Sequence, residues 1–310
     1  MTHHFLAEAL ATPWALQPER MAAYAAVLAG RYFGRVRAAD HRDDTQYDEA
    51  GNPMPKTAAT PQAARPAVRQ NGSIAVVSVY GTITQRATMM SICDGGTSTQ
   101  AISQALRQAN ADETVSGIIL DIDSPGGSVY GVAELAAEIR ASAKPVTAVA
   151  NSLAASAAYW LGTAASEFFV TPGGEVGSIG VWMAHEDWSK ALADAGVATT
   201  LISAGKFKTE GHPYGPLDTE ARDFMQSRVD DYYGAFTRDV AKGRKVSAED
   251  VRNGMGQGRV LGASQAKSAG MVDGVLTFDQ VVRHVARSLQ PKGRSAQEQQ
   301  RQRLALLALE

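Results

Sequence analysis

Short apolar runs that alternate with helical patterns dominate the middle of the chain. The runs are typical of buried strands, and they occupy residues 73–79, 117–122, 145–150, 167–171 and 198–202. Between them, Thr97–Asn110 and Val129–Arg140 have helical spacing, and Thr97 opens the first with a T-x-x-Q capping box. This alternation predicts an α/β domain of βαβ units over residues 72–280.

The segments on either side of this domain have other patterns. Residues 1–38 are expected to form a helical extension, with apolar positions on one face across 5–38. Residues 39–71 are rich in proline and small polar residues, which is typical of a linker. Residues 281–310 are expected to be a helical tail that ends in the apolar LALLALE.

Two further stretches of the central domain have distinctive patterns. Pro216–Gly243 is expected to be one long amphipathic helix, whose apolar positions are Met225, Val229, Tyr232, Phe236 and Val240. Residues 145–166 carry no charge, but they are rich in alanine and poor in leucine, isoleucine and phenylalanine. This composition favours a buried strand, a turn and a helix over a membrane span. With no leader pattern at the start, a cytoplasmic protein is expected.

Charge and metal-binding residues exclude several classes of function. The chain has 30 Lys and Arg against 32 Asp and Glu, a net charge of −2, so no basic surface for nucleic acid is expected. Its single cysteine, Cys93, excludes an internal disulfide framework. The six histidines are scattered without metal-ligand spacing, and no Gly-rich phosphate loop follows a strand. We therefore expect neither a metal site nor a cofactor.

Candidate chemistry begins at Asp123–Gly127, which follows the apolar run 117–122. Paired glycines at the end of a strand let the backbone approach a substrate with its N–H groups turned outward, as an oxyanion hole requires. A plain turn between strand and helix is the alternative.

Ser156 and two lysines are the remaining candidates. Ser156 lies between alanines at an expected helix start, where its hydroxyl has open space; it could equally be a capping or packing serine. Lys206 and Lys208 follow the run 198–202 beside Phe207, and a lysine desolvated there could act as a base, although most lysines are solvated. A Ser–His site using His185 or His212 stays possible, but nothing in the sequence positions either histidine.

The order and spacing of several motifs resemble the signal peptide peptidase A family of serine peptidases. The motifs extend from residue 78 to residue 275 and read SVYGTI, DSPGGSVYG, AASAAYW, VGSIGV, SAGKFKTEG and GRVLGASQAKSAGMVDGV. The resemblance implies a Clp-protease/crotonase-like α/β fold and a serine endopeptidase with a Ser–Lys dyad.

Carried over position by position, the resemblance gives each candidate a role. Ser156 is the nucleophile and Lys208 the general base, favoured over Lys206 because an aromatic residue precedes it. Gly127 and the N–H of Ala157 form the oxyanion hole and Gly126 shapes the turn. Ser178 in VGSIGV orients the lysine. Single-copy members of this family place the lysine of one subunit beside the serine of the next, so a homo-oligomer with shared active sites is expected.

The PWAL start and the linker resemble the head-maturation proteases of tailed phages, a branch of this family without a membrane anchor. The implied function is processing of scaffold, portal or capsid proteins in the host cytoplasm, inside the assembling prohead. Three alternatives remain open. The chain could be a bacterial peptidase that degrades signal-peptide remnants, a non-catalytic assembly or scaffold component, or a crotonase-like acyl-CoA enzyme. The last would leave Ser156 and Lys208 without a purpose.

Overall fold

The computed structural model describes residues 13–16, 68–71, 74–87 and 95–289. Their centre is a sheet of eight strands, of which six run parallel to one another and two, at its edges, are antiparallel to the strand beside them. A parallel centre connected by helices confirms the expected α/β class.

The strands of this sheet vary greatly in length. They are β2 (Val68–Asn71), β3 (Ile74–Tyr80), β6 (Gly117–Ser124), β8 (Val146–Ala155), β9 (Glu167–Val170), β10 (Glu175–Gly177), β11 (Val260–Gly262) and β12 (Gly274–Val275). Their order across the sheet is β11-β10-β8-β6-β3-β2, in which β9 also pairs with β8, and β12 with β9. The two antiparallel edge strands are β2 and β11. A second, smaller sheet has the order β1-β7-β4-β5. Its strands are β1 (Trp14–Leu16), β4 (Ile83–Thr84), β5 (Thr97–Ser98) and β7 (Gly126–Ser128).

The helices cover both faces of the large sheet. In chain order they are α1 (Thr99–Ala111), α2 (Val132–Arg140), α3 (Ala157–Gly162), α4 (Ser189–Asp194), α5 (Thr219–Arg244), α6 (Ala248–Gly254), α7 (Ala263–Ser268) and α8 (Phe278–Ser288). Ala75, Val77, Ile118 and Leu120 face the main core with α1, α2 and α3. The alternate side chains Ile74, Val76 and Ile119 pack against Val281 and Val285 of α8. Alternate residues of each strand therefore face opposite sides of the sheet and belong to two different cores.

Helix α5 joins the main core through its second half. Phe236 and Val240 are buried, and the Phe236 ring stacks on Trp160 of α3 at 4.7 Å between centroids. Asp218 caps its start by accepting a hydrogen bond from the Ala221 N–H, so the helix begins at Thr219 rather than at Pro216. The expected strand, turn and helix over 145–166 are confirmed as β8 and α3.

Several local predictions were wrong. Residues 198–202 are exposed and form no strand, because they have no neighbouring strand to pair with. In the segment expected to be helical, Trp14–Leu16 is a strand, because it pairs with β7; apart from Pro13, the other residues of 5–38 lie outside the described residues. Val68–Asn71, placed in the linker, pairs with β3. Helix α8 spans the expected boundary at residue 280, and the tail from 291 lies outside the described residues.

Candidate active site

Parallel strands bring the predicted site residues to one edge of the large sheet. Ser124 of β6 is in register with Ala154 of β8, and Ala155 with Gly177 of β10. The residues that follow these strands therefore meet at the carboxyl end of the sheet. They are Gly126, Gly127, Ser156 and Ser178, which we call the serine edge.

Ser156 occupies the tight turn between β8 and α3. Its φ of 55° is in the left-handed region, which is uncommon for a residue other than glycine and is found at strained functional turns. The backbone is held there by a hydrogen bond from the Ser156 N–H to the Gly177 carbonyl at 2.7 Å. The side chain caps no helix N–H, and Oγ donates weakly to the Gly180 carbonyl at 3.5 Å. A hydroxyl held by so little is available for other chemistry.

The Gly126–Gly127 turn contacts Ser156 directly. A Cβ on Gly126, whose φ is 100°, would lie 2.9 Å from Ser156 Cβ, and a Cβ on Gly127 would lie 1.8 Å from the Ile83 carbonyl oxygen. Ser124 fixes the turn, because its Oγ donates to the Gly81 carbonyl at 2.6 Å and accepts from the Gly126 N–H at 3.2 Å. Only residues without a side chain fit this approach.

Two further positions lie next to Ser156 and Gly177: Ala157, which follows Ser156, and Ser178, the remaining member of the serine edge. Ala157 is the buried first residue of α3, where backbone N–H groups have no partner within the helix. Ser178 also has a left-handed φ, 53°, and its N–H donates to the Arg259 carbonyl at 2.8 Å. Ser178 stands directly after Gly177, which is in register with Ala155, and Ala157 stands two residues after Ala155.

The predicted base lies in a very different environment. None of residues 181–220 is buried, and residues 193–208 are all exposed. The Lys208 N–H donates to the Gly205 carbonyl at 3.2 Å within a turn, and its side chain is in solvent. In the described part of the chain no hydrogen bond joins Lys208 to Ser156. The structure of one chain therefore assembles the serine edge but leaves the lysine outside it.

The competing candidates are also found apart from Ser156. Lys206 Nζ pairs with Glu220 at 2.9 Å and lies over the Phe207 ring. The His185 ring contacts the His212 carbonyl at 3.0 Å. Across the described residues, no three His, Cys, Asp or Glu side chains are grouped as metal ligands, and no helix is long and apolar enough to span a bilayer.

Three features near Ser156 were missed by sequence reasoning. Gly177 supplies the carbonyl that holds the Ser156 backbone, and its φ of 127° requires glycine. Strand β1 pairs with β7, and Trp182 pairs with the other edge of β1 by hydrogen bonds to Trp14. The glycine pattern of VGSIGV could have revealed the first, but no local pattern predicts a contact between residues 14 and 182.

Known proteins resemble this chain over half or more of its length. The family model for peptidase family S49 matches residues 138–291. Capsid assembly protease C of Escherichia phage lambda is 38% identical over 216 residues, which is 69% of this chain and 48% of that protein. Head-tail preconnector protein GP5 of Enterobacteria phage P21 is 33% identical over 291 residues, 92% of this chain and 57% of that protein.

A bacterial protein is also similar to part of this chain. Protease 4 of Salmonella typhi is 31% identical over 218 residues, covering 69% of this chain and 34% of its own length. The chain thus spans about half the length of the two phage proteins and a third of the bacterial one. Parallel strands with helices on both faces agree with the expected Clp-protease-like α/β fold. The match over residues 138–291 and these relatives confirm the predicted kinship with peptidase family S49.

Proposed function

We propose that the protein is a serine endopeptidase whose nucleophile is Ser156. The observation that carries this proposal is the strained, buried turn at Ser156, against which the backbone of Gly126 is packed. A serine on a sharp strand-to-helix turn, beside a strand end with outward N–H groups, is an arrangement suited to acyl transfer. Kinship with a peptidase family supports the same reaction.

In the proposed mechanism Ser156 Oγ attacks the carbonyl carbon of a peptide bond while Lys208 Nζ accepts the hydroxyl proton. The N–H groups of Gly127 and Ala157 stabilise the negative oxygen of the tetrahedral intermediate, and Gly126 leaves room for it. The amine then leaves with the proton from Lys208, and water hydrolyses the acyl-enzyme ester. Ser178, which directly follows the Gly177 that is in register with Ala155, orients the lysine amine.

We propose further that Lys208 reaches Ser156 from a second copy of the chain. An ammonium group in water keeps its proton at neutral pH, so a lysine base must be covered and desolvated. In one chain Lys208 is exposed, together with Val197, Leu201, Ile202 and Phe207. Burying these side chains against a neighbour would remove apolar surface from water and desolvate the lysine at the same time.

The substrates we propose are scaffold, portal or capsid proteins processed during phage head maturation in the host cytoplasm. The relatives named as a capsid assembly protease and a head-tail preconnector protein support this role. A bacterial peptidase acting on signal-peptide remnants is the second candidate, supported by the relative named Protease 4.

The test replaces Ser156 by alanine and measures cleavage of casein and of a co-expressed phage scaffold protein. Because the Ser156 side chain makes no cap hydrogen bond, the variant should fold and keep its melting temperature. Ser152→Ala, an exposed serine on the same strand β8, is the matched control and should keep full activity. Retained cleavage by Ser156→Ala would overturn the proposal.

A further inference from the structure

A segment of the chain itself lies in a groove beside the serine edge. Strand β1 (Trp14–Leu16) is antiparallel to β7, and on its other side Trp14 pairs with Trp182. Trp14, Ala15 and Leu16 are all buried. The indole N–H of Trp182 also donates to the Leu16 carbonyl at 2.9 Å. The short strand is therefore held on both sides by backbone and side-chain hydrogen bonds.

The hydrogen-bonding pattern shows which residue of β1 faces the catalytic backbone. The Trp14 N–H and carbonyl both pair with Trp182 at 3.0 Å, so the backbone groups of the next residue, Ala15, point the opposite way, towards β7. The Val129 N–H donates to the Pro13 carbonyl at 3.3 Å, so Pro13, like Ala15, directs its backbone towards β7 and the residue that follows it. Ala15 is in register with Gly127, the residue assigned to the oxyanion hole.

The Ala15 carbonyl comes close to the nucleophile across Gly126. The position that a Gly126 Cβ would take lies 2.2 Å from the Ala15 oxygen and 2.9 Å from Ser156 Cβ. A peptide that enters the site as an extended strand would pair with the same edge of β7, because strand addition satisfies its backbone groups there. Strand β1 and a substrate cannot occupy this edge together.

We propose that residues 13–16 are an internal ligand of the substrate groove, which keeps the site closed to protein substrates until the strand is displaced. The inference rests on the proposed function. Because the strand belongs to the same chain as the groove, it competes as an intramolecular ligand with a high effective concentration. A peptide substrate must outcompete it. Ala15 holds the position of the residue whose carbonyl would be attacked.

A reversible disulfide tests this proposal. Trp14 and Ser128 are opposite each other and are not paired by hydrogen bonds, since Trp14 bonds to Trp182. Such pairs have Cα atoms about 4.5 Å apart, within the range that a disulfide spans. The variant carries Trp14→Cys and Ser128→Cys with Cys93→Ser, which removes the native thiol. Cys93→Ser alone, taken through the same oxidation, is the control.

The main readout is binding of a fluorescent peptide with the sequence of residues 11–18, ATPWALQP, measured by anisotropy. The reduced variant should bind the peptide, and the oxidised variant should bind it roughly tenfold more weakly or not at all. Casein cleavage should be slowed by oxidation to a similar degree and restored by reduction. The control should show no dependence on oxidation. Cleavage of the protein's own chain between Ala15 and Leu16, if it is lost in Ser156→Ala, would also support the placement of residues 13–16 in the substrate groove.

Equal peptide binding by the oxidised and reduced forms would overturn the inference, as would a disulfide that joins two chains instead of closing within one. Because peptide binding does not require catalysis, the result is independent of the proposed activity. If oxidation blocks the peptide but neither form cleaves casein, the internal ligand stands and the peptidase assignment fails. If both forms cleave casein equally fast, the peptidase assignment stands and the internal ligand fails.

Discussion

The serine edge and the segment that carries Lys208 differ in almost every physical respect. Around Ser156, glycines permit contacts that no side chain would allow, and backbone hydrogen bonds tie three parallel strands together. Across residues 181–220 no side chain is buried, and Ile202 is 96% exposed. Under the proposed function, one chain builds the serine half of the site and presents Lys208 on an exposed surface that also carries apolar side chains. On this proposal, the lysine half is completed by contact with a second copy of the chain.

The largest combined effect, on the backbone as well as on activity, should come from filling the space at Gly127. Gly127→Ala would place a methyl group 1.8 Å from the Ile83 oxygen, so the backbone must move and the oxyanion N–H with it. We expect a loss of peptidase activity of about 100-fold or more. Gly173→Ala, with nothing within 4 Å of the added Cβ, should behave as wild type. Wild-type activity in a folded Gly127→Ala protein, checked by circular dichroism, would remove Gly127 from the site.

The next effect should separate the two lysines. Lys208→Ala should abolish cleavage and leave the melting temperature unchanged, because its side chain contributes no packing in one chain. Lys206→Ala loses an exposed pair with Glu220, worth at most about 0.5 kcal/mol, and should keep most of the activity. Rates of peptide hydrolysis for the two variants decide between them. The dyad would be wrong if His185→Ala or His212→Ala were inactive while Lys208→Ala kept its rate.

A smaller effect is expected from the apolar surface of the lysine segment. Ile202→Ser exposes no new apolar surface in one chain, so the melting temperature of dissociated protein should not fall. If the segment packs against a neighbour, sedimentation should show weaker self-association and activity should decrease with dilution. Lys190→Ser, an exposed position in the same segment outside the apolar patch, is the control. If Ile202→Ser self-associates as strongly as wild type, the apolar surface of this segment is not the contact between copies.

The smallest effect concerns the stability of the fold around Asp273. Burial alone would raise the pKa of Asp273, but hydrogen bonds from Arg244 and the Phe168 N–H, with the Arg244 charge, hold it below its ordinary value. The ion pair therefore stabilises the fold above the ordinary carboxyl pKa, and this contribution is lost as pH falls through the lowered pKa. Asp273→Asn should cost about 1 kcal/mol at pH 7, since the carboxylate is 40% exposed.

Urea unfolding at two pH values measures this contribution. At neutral pH the free energy of unfolding of Asp273→Asn should be lower than that of wild type, and near pH 3 the difference should shrink. Peptidase activity should not change, because the hydrogen bonds of the Asp273 side chain in the described structure go to Phe168 and Arg244 and not to the serine edge. A difference that stays constant with pH would show that the pair is not the cause.

The sequence was sufficient for the parts of the fold that depend on local patterns. Apolar runs located β3, β6, β8 and β9, and the glycine and serine motifs identified the serine edge because each follows one of the parallel strands. The run 198–202 has the same composition, but a strand forms only where a neighbour offers hydrogen bonds, and none is present there. The prediction for strand β1 failed for the opposite reason: a pairing partner is present, but it lies more than a hundred residues away in the sequence.

Mixing two inactive proteins tests most directly the claim that the two halves of the site come from different copies. Ser156→Ala keeps the lysine and Lys208→Ala keeps the serine, so each boundary that combines an intact serine with a neighbour's intact lysine should regain activity. With random exchange in a closed ring, about one quarter of the boundaries meet this condition, and the mixture should reach about that share of wild-type cleavage. Native mass spectrometry confirms that mixed assemblies have formed. An inactive mixture containing such assemblies, or a fully active monomer, would contradict the account.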